Sequence, residues 1–348
     1  MFIQNRSINR QTKPFIIAEL SGNHNGSLER ALALVDAAAD AGVDCLKLQT
    51  YTAETLTLDV KEGEFVISDP KSLWAGRSLH DLYTEASTPW EWHEPIMQHA
   101  QKRGLICFSS PFDETAVDFL ETLNVPAYKI GSFECIHIPL LKRVAATGKP
   151  VILSTGMATL AEIDEAVRTL RTGGVKDLAL LKCTSTYPST PENSHLRTLP
   201  HLREMFGCEV GVSDHTLGIG VAVAAVALGA TVIEKHFTLA RADGGVDAAF
   251  SMEPVEMHTL VAESERAWQA LGQVHYGPTA AEQKAVNRRR SIYFSSDVAA
   301  GGVLSAVNLK IVRPGHGLAP KFWETVLGKR VRVAVKKGQP LDWDVLMD

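Results

Sequence analysis

The sequence predicts an α/β chain in which a (β/α)8 TIM barrel over residues 1–275 is joined by a linker at 276–289 to a small, mostly β domain at 290–348. Three observations carry this prediction. Apolar segments of strand length alternate eight times with segments of helical spacing over about 270 residues, the size and rhythm of a closed barrel. Polar residues follow nearly every one of those segments, as they do at the rim of a barrel where functional groups collect. Beyond residue 290 the helical spacing gives way to short strand-like runs and glycine turns. The alternative, a doubly wound open sheet, is disfavoured because no GxGxxG follows the first strand.

In chain order, Phe15–Ala18 reads as a strand ending in Glu19, followed by the polar loop SGNHNGS. Leu28, Leu32, Val35 and Ala39 then fall on one helical face, up to a stop at Gly42. The second strand, Val43–Gln49, places Lys47 and Gln49 on one side because side chains alternate along a strand. Residues 52–87 show little periodicity and read as a long insertion, of the kind that is often functional. Thr88-Pro89-Trp90-Glu91 carries a cap, an N1 proline and an acidic N3 residue for a helix running to Gly104. Leu105–Phe108, Ala127–Ile130, Val151–Ser154, Leu178–Cys183, Glu209–Val212 and Ala230–Glu234 complete the eight strands, with a capping box at Thr159 and Glu162 before the sixth. Ser291–Phe294 and Val331–Val335 are the strand candidates of the small domain, which at about 60 residues is marginal alone and favours docking.

Composition narrows the function classes. The chain has 348 residues, 45% of them hydrophobic, with mean hydropathy near zero, as in a globular protein. Its longest apolar run, Val221–Val232, is too short to cross a bilayer, and MFIQNRSINRQTKPF lacks the apolar core of a secretory signal. Five cysteines without a CxxC pair point to reduced thiols and a cytoplasmic location, with no membrane involvement. Net charge is −5, unevenly spread: residues from Arg288 on carry 11 basic and 5 acidic groups, a net of +6, and the preceding residues carry 24 and 35, a net of −11. A basic unit of this kind suits docking on an acidic one, in the same chain or in a partner. Nucleic acid is the competing partner, but no zinc-finger spacing or RNP-like aromatic motif supports it.

The chemistry is concentrated at the predicted strand ends. Ser213-Asp214-His215 and Glu234-Lys235-His236 flank a small-residue helix, so two histidines at the ends of consecutive strands could share one metal ion; two satisfied core or surface imidazoles are the plain alternative. An ion held by two imidazoles alone keeps positions for water and a substrate oxygen. Lys47, Lys129 and Lys182 supply positive charge, and Ser110, Ser132, Ser154, Thr184 and Ser213 supply hydroxyls suited to a phosphate dianion, although any one of them could be an ordinary cap. Glu19, Glu234 and Asp247 are the acidic candidates. Ser213, Asp214 and His215 are adjacent, so alternation turns them to opposite sides and argues against a hydrolase triad. DGGVD at 243–247 lacks the ligands of a calcium loop, and the six tryptophans read as packing groups.

IIAELSGNHNGS, KLQTYTAETLTLD, CFSSPFD, YKIGS, LSTGM, LKCTSTYP, SDHT and IEKHFTL occur in order, and together they resemble the sialic acid synthase (NeuB-like) family. VRPGHGLAP resembles the antifreeze-like (SAF) domain that ends such chains. The resemblance implies condensation of phosphoenolpyruvate with an N-acylated amino sugar, giving a nonulosonic acid and phosphate. It implies that His215 and His236 hold a divalent ion, usually Mn2+ or Mg2+. It places Lys47, Lys129, Ser110, Ser132, Ser154 and Ser213 on phosphoenolpyruvate, and Glu19, Gln49, Tyr187 and Asp247 on the sugar. Thr184 stands where some relatives have asparagine. Glu234 or Glu19 is the implied proton acceptor. Arg313 matches an arginine that enters the partner subunit's barrel in a homodimer and contacts the acylamino group. The LSGNHN form of the first loop resembles the pseudaminic acid branch rather than the AGVNHNG or IGVNHNG forms of the N-acetylneuraminate and legionaminate branches. That implies a 2,4-diacetamido-2,4,6-trideoxy-altrose acceptor and a role in flagellin or surface glycans. The rival readings are a barrel aldolase or aldulosonate phosphate synthase using a Lys129 or Lys182 Schiff base, and a non-catalytic sugar-binding protein.

Overall fold

In the computed structural model, which describes residues 1–347, the chain divides into two compact units, Met1–Gly272 and the residues from Gln273 on. Eight parallel strands form the first as a closed barrel: β1 Phe15–Glu19, β2 Cys45–Thr50, β3 Ile106–Pro111, β4 Tyr128–Ile130, β5 Val151–Ser154, β6 Leu178–Cys183, β7 Glu209–Ser213 and β8 Val232–His236. Each strand pairs with the next in sequence, and β8 closes on β1 with His236 opposite Glu19. A two-residue hairpin, Phe2–Ile3 with Arg6–Ser7, precedes the barrel and buries Ile3 and Ile8 against its lower interior.

Alternation organises the interior. Phe15, Ile17, Cys45, Phe108, Ile152, Ala179, Leu181 and Val232 fill the lower part of the barrel, dry and close-packed. The same inward faces, followed toward the strand ends, become polar: Ile17 leads to Glu19, Cys45 to Lys47 and Gln49, Phe108 to Ser110, Ile152 to Ser154, and Val232 to Glu234 and His236. The outward faces pack against the helices in a second, larger apolar cluster that includes Leu34, Leu46, Ile96, Leu120, Leu141 and Leu260.

The helix Leu28–Ala41 begins with Ser27 accepting from the Arg30 amide and, as its sequence predicts, stops at Gly42, which is in the left-handed conformation. The Thr159–Glu162 capping box is present. At the helix Trp90–Lys102, however, Pro89 is itself the cap residue rather than N1, and Thr88 contributes no cap hydrogen bond; the Thr88 hydroxyl is buried without a partner. Residues 52–87 are not structureless but carry the short helices Ala53–Leu56 and Leu79–Ala86, whose few turns are too short to show periodicity in sequence. The last strand runs Val232–His236 rather than Ala230–Glu234, so Glu234 and His236 lie within the ladder.

The second unit has its own core, with Ile292, Phe294, Leu309, Val326, Val331 and Leu341 among its buried residues. Strands β9 Ser291–Phe294 and β10 Leu309–Val312 pair antiparallel. Val331–Val335 forms no strand; Val331 and Val335 make single bridges to different partners, Leu346 and Val298, so no ladder propagates. Among the described residues no helix is long and apolar enough to cross a membrane, and all five cysteines are free.

Gly211, on the inward face of β7 and opposite Val232, marks how tightly the barrel closes: a Cβ there would overlap the Val232 carbonyl and crowd Leu181. Gly211→Ala is expected to lower stability by about 1–3 kcal/mol through overpacking, read as a shift in the urea midpoint with an unchanged m-value.

Candidate active site

The strand C-termini surround a cavity of about 640 Å³. Its floor is a cluster of buried charges. The Lys47 ammonium lies 2.6 Å from Glu19 Oε2, 3.1 Å from Glu234 Oε1 and 3.3 Å from Ser110 Oγ. Lys129 Nζ donates to Ser154 Oγ at 2.8 Å and stands 3.9 Å from Glu234 Oε1, which also accepts from Ser213 Oγ at 3.2 Å. Burial disfavours the Glu234 carboxylate, but the Lys129 and Lys47 ammoniums outweigh that effect and hold it below the usual carboxylate range. Burial also lowers Lys47 to about 8, with Glu234 opposing the shift. The second oxygen of Glu234, Oε2, is buried without a hydrogen-bond partner. Such an atom is costly to leave bare and is available to a substrate or water.

The two histidines meet above this floor, with ring centroids 5.3 Å apart. His215 Nδ1 is 3.0 Å from the Thr184 carbonyl oxygen, which can only accept, so Nδ1 carries a proton and Nε2 is the nitrogen left for a metal. Burial lowers this imidazole, but Cys183, the Thr184 carbonyl and Glu234 outweigh it and raise it above its usual range. His236 Nδ1 is 3.2 Å from Ser21 Oγ and 4.0 Å from Asp247 Oδ2. Burial first, then the neighbouring positive groups, hold His236 well below the usual imidazole range and keep it neutral. Among the described residues no set of three or more His, Cys, Asp or Glu side chains converges as a complete metal cage. A neutral His236 and a His215 whose Nε2 is not used by the Thr184 bond, beside a bare carboxylate oxygen, do fit a divalent ion that shares its remaining positions with water and substrate.

Aromatic groups form the wall. The Tyr187 ring lies 4.3 Å from His215, and Phe250 packs 4.9 Å from His236. Residues 52–87 supply Leu56, Trp74, Leu82 and Tyr83 to the lining, and Trp74 Nε1 donates to the Val246 carbonyl at 2.8 Å, pinning this segment beside Asp247.

The structure brings Lys47, Gln49, Ser110, Lys129, Ser132, Ser154, Tyr187, Ser213, His215, Glu234, His236 and Asp247 to this one cavity. Glu19 lies beneath it, fully buried, reaching the site through Lys47. Two expected groups turn elsewhere. The Thr184 hydroxyl donates to the Asn193 carbonyl at 2.8 Å outside the cavity. Lys182 alternates with the inward Leu181 and Cys183, and its ammonium bonds the Cys183 carbonyl at 2.8 Å, so it is not a rim cation. Arg313 is exposed in the second unit. Sequence reasoning missed Trp74, set aside as packing, and Glu134, which lines the cavity with Oε2 buried and unpartnered. The available signal was a carboxyl just past a strand end, in GSFE.

A closed barrel with a lysine- and serine-lined anion pocket, a paired-imidazole site and a bare carboxylate at its strand C-termini defines a (β/α)8-barrel enzyme acting on a phosphorylated substrate. Residues 34–276 match the NeuB family and residues 289–347 match the SAF domain. The chain is 43% identical to pseudaminic acid synthase of Campylobacter jejuni subsp. jejuni over 96% of this chain and 97% of that one. It is 37% identical to N,N'-diacetyllegionaminic acid synthase of the same organism, over 91% and 95%. The crystal structure of N-acetylneuraminic acid (sialic acid) synthetase from Leptospira borgpetersenii superposes with a TM-score of 0.73 at 33% identity, covering 82% of this chain and 94% of that one. The chain belongs to the NeuB family and ends in a SAF domain.

Burial raises Glu134 from its ordinary 4.5 to about 7, so the folded chain holds a proton there that the unfolded chain has already released. Its stabilising balance is therefore full below pH 4.5 and is lost as pH rises through about 7. Relative to Glu134→Gln, the wild type is expected to lose about 3 kcal/mol between those limits, measured as the difference in urea midpoints at acidic and neutral pH.

Proposed function

We propose that this chain is a phosphoenolpyruvate-dependent nonulosonic acid synthase whose acceptor is 2,4-diacetamido-2,4,6-trideoxy-altrose and whose product is pseudaminic acid. The observation that carries the reading is the convergence of Lys47, Lys129 and four serine hydroxyls on the same cavity as Glu234 and the two histidines. Such a pocket suits the phosphate and carboxylate of phosphoenolpyruvate. The acceptor assignment rests on the LSGNHN form of the first loop and the 43% identity to a pseudaminic acid synthase.

In this mechanism C3 of phosphoenolpyruvate forms a bond to the aldehyde carbon of the open-chain sugar, whose oxygen takes the carbonyl π pair and, by way of Glu234, the proton released by the water that adds next. His215 and His236 would hold a divalent ion, Mn2+ or Mg2+, which would supply Lewis-acid polarisation. Water adds to the resulting cationic C2 and gives its proton to Glu234, whose Oε2 is free to accept it. The C2–O bond to phosphate then breaks, leaving a keto acid. Lys129, steadied by Ser154, and Lys47 stabilise the departing dianion. Glu19 supports Lys47 from below, while Gln49, Tyr187 and Asp247 face the sugar.

The test is phosphate release from phosphoenolpyruvate with Mn2+, using the altrose acceptor, its gluco and manno relatives, and N-acetylmannosamine. The altrose sugar is expected to give the highest kcat/KM, and EDTA to abolish release until metal is restored. Preference for another sugar moves the product to legionaminic or N-acetylneuraminic acid, and turnover with none sinks the proposal.

The same reading makes the active form a homodimer in which Arg313, exposed on the basic second unit, contacts the acylamino group in the partner's barrel. Arg313→Ala is expected to fold and dimerise normally but to lose at least tenfold in kcat/KM for the sugar, about 1.4 kcal/mol. Wild-type kinetics in that variant would remove Arg313 from the reaction.

A further inference from the structure

Six non-glycine residues adopt a positive φ among the described residues, and five of them, Gln4, Asn25, Asn124, Met157 and His195, are exposed. The sixth is Ser21, at φ 44° and 0% exposure, in the loop that follows β1. A left-handed conformation at a buried serine is sustained only where its surroundings over-determine it, and such residues concentrate at functional sites. Glycine would take this backbone without strain.

The turn sets Ser21 between Glu19 beneath the cavity and His236 in its wall. Its backbone N–H donates to Glu19 Oε1 at 3.0 Å. Its hydroxyl lies 3.2 Å from His236 Nδ1. The Asp247 carboxylate is 4.0 Å from that same nitrogen; burial raises this carboxyl above its usual range, and hydrogen bonding from Ser21 and the Gly22 N–H works against that rise. At Gly22 a Cβ would overlap Val246, so the loop is pressed against the very segment that carries Asp247. Asn23 completes the attachment, with Nδ2 donating to the Phe237 carbonyl at 2.9 Å, directly after His236.

A hydroxyl has one proton to give and lone pairs to receive with. We infer that Ser21 is a positioning residue for His236: its hydroxyl accepts the Nδ1 proton of the ring and donates its own to Asp247, so that Nε2 is fixed as the lone pair offered to a metal. This is the carboxylate–histidine–metal relay with a serine interposed. The inference rests on the reading that His236 binds the ion, and it explains why a strained serine stands where a glycine would be relaxed.

The experiment measures Mn2+ dissociation constants by EPR of the free ion, on the full chain without substrates, for wild type, Ser21→Gly, Ser21→Ala and His236→Ala, together with Tm of each metal-free protein. Ser21→Gly is expected to match or exceed the wild-type Tm, because the strain is relieved, while its Mn2+ affinity falls at least tenfold. Ser21→Ala is expected to lose the same affinity. A purely structural serine predicts the reverse pattern, and wild-type affinity in either variant overturns the inference. In metal-free wild type, 15N–1H correlation of the His236 ring is expected to find the proton on Nδ1; a proton on Nε2 overturns it without any variant. Failure of the wild type to bind Mn2+, or normal binding by His236→Ala, would sink the metal reading together with this one. Normal binding by Ser21→Gly beside a defective His236→Ala sinks only this one.

Discussion

The ammonium of Lys47 is the interaction on which the site depends. It projects from β2 between Glu19 on β1 and Glu234 on β8, 2.6 and 3.1 Å away, and so joins three strands across the seam where the barrel closes. A lone charge at this depth would be neutralised by desolvation, and the tendency shows in Lys47 itself, lowered to about 8. The two carboxylates oppose that loss, and Lys129 balances the second of them. The cluster is thus a group of charges that sustain one another, set on a dry apolar plug and open on one side only to the cavity. A dianionic substrate entering there meets charge already oriented, which is the condition for electrostatic catalysis.

Strand alternation divides functional from structural charge. Glu234 and His236 point inward, and Lys235 between them points out, where its ammonium meets Asp214 Oδ2 at 2.9 Å and the carbonyls of Thr216 and Gly218 at 2.6 and 3.0 Å. Asp214 in turn sits between the inward Ser213 and His215 and caps Thr216. The outward pair therefore locks the loop after β7 to β8, directly behind the two histidines. Such a pair contributes more to uniqueness than to net stability, because its desolvation offsets most of its attraction. Its value here is to fix the angle between the two strands that present the imidazoles.

Much of the site was legible because the barrel is a repeating object. Each strand contributes inward residues at period two, and polar residues at the end of an apolar run identify the rim; Lys47 with Gln49 and Glu234 with His236 follow from parity alone. The misses have local causes. Thr184 lies just past the end of β6, where its hydroxyl finds the Asn193 carbonyl, and Lys182, on β6, has the wrong parity. Trp74 and the helices of residues 52–87 have no period long enough to read, and only their packing brings them to the wall.

The amino-acid sequence by itself determined the barrel, the order of its strands and the list of groups at their ends, because hydrophobic periodicity and turn chemistry are local properties written residue by residue. Only the tertiary structure decided which of those groups share a floor, that Glu134 is buried enough to hold its proton, and that Ser21 stands against His236, 215 positions away. Those outcomes depend on desolvation and on distances between strands remote in the chain, and neither quantity exists until the barrel closes.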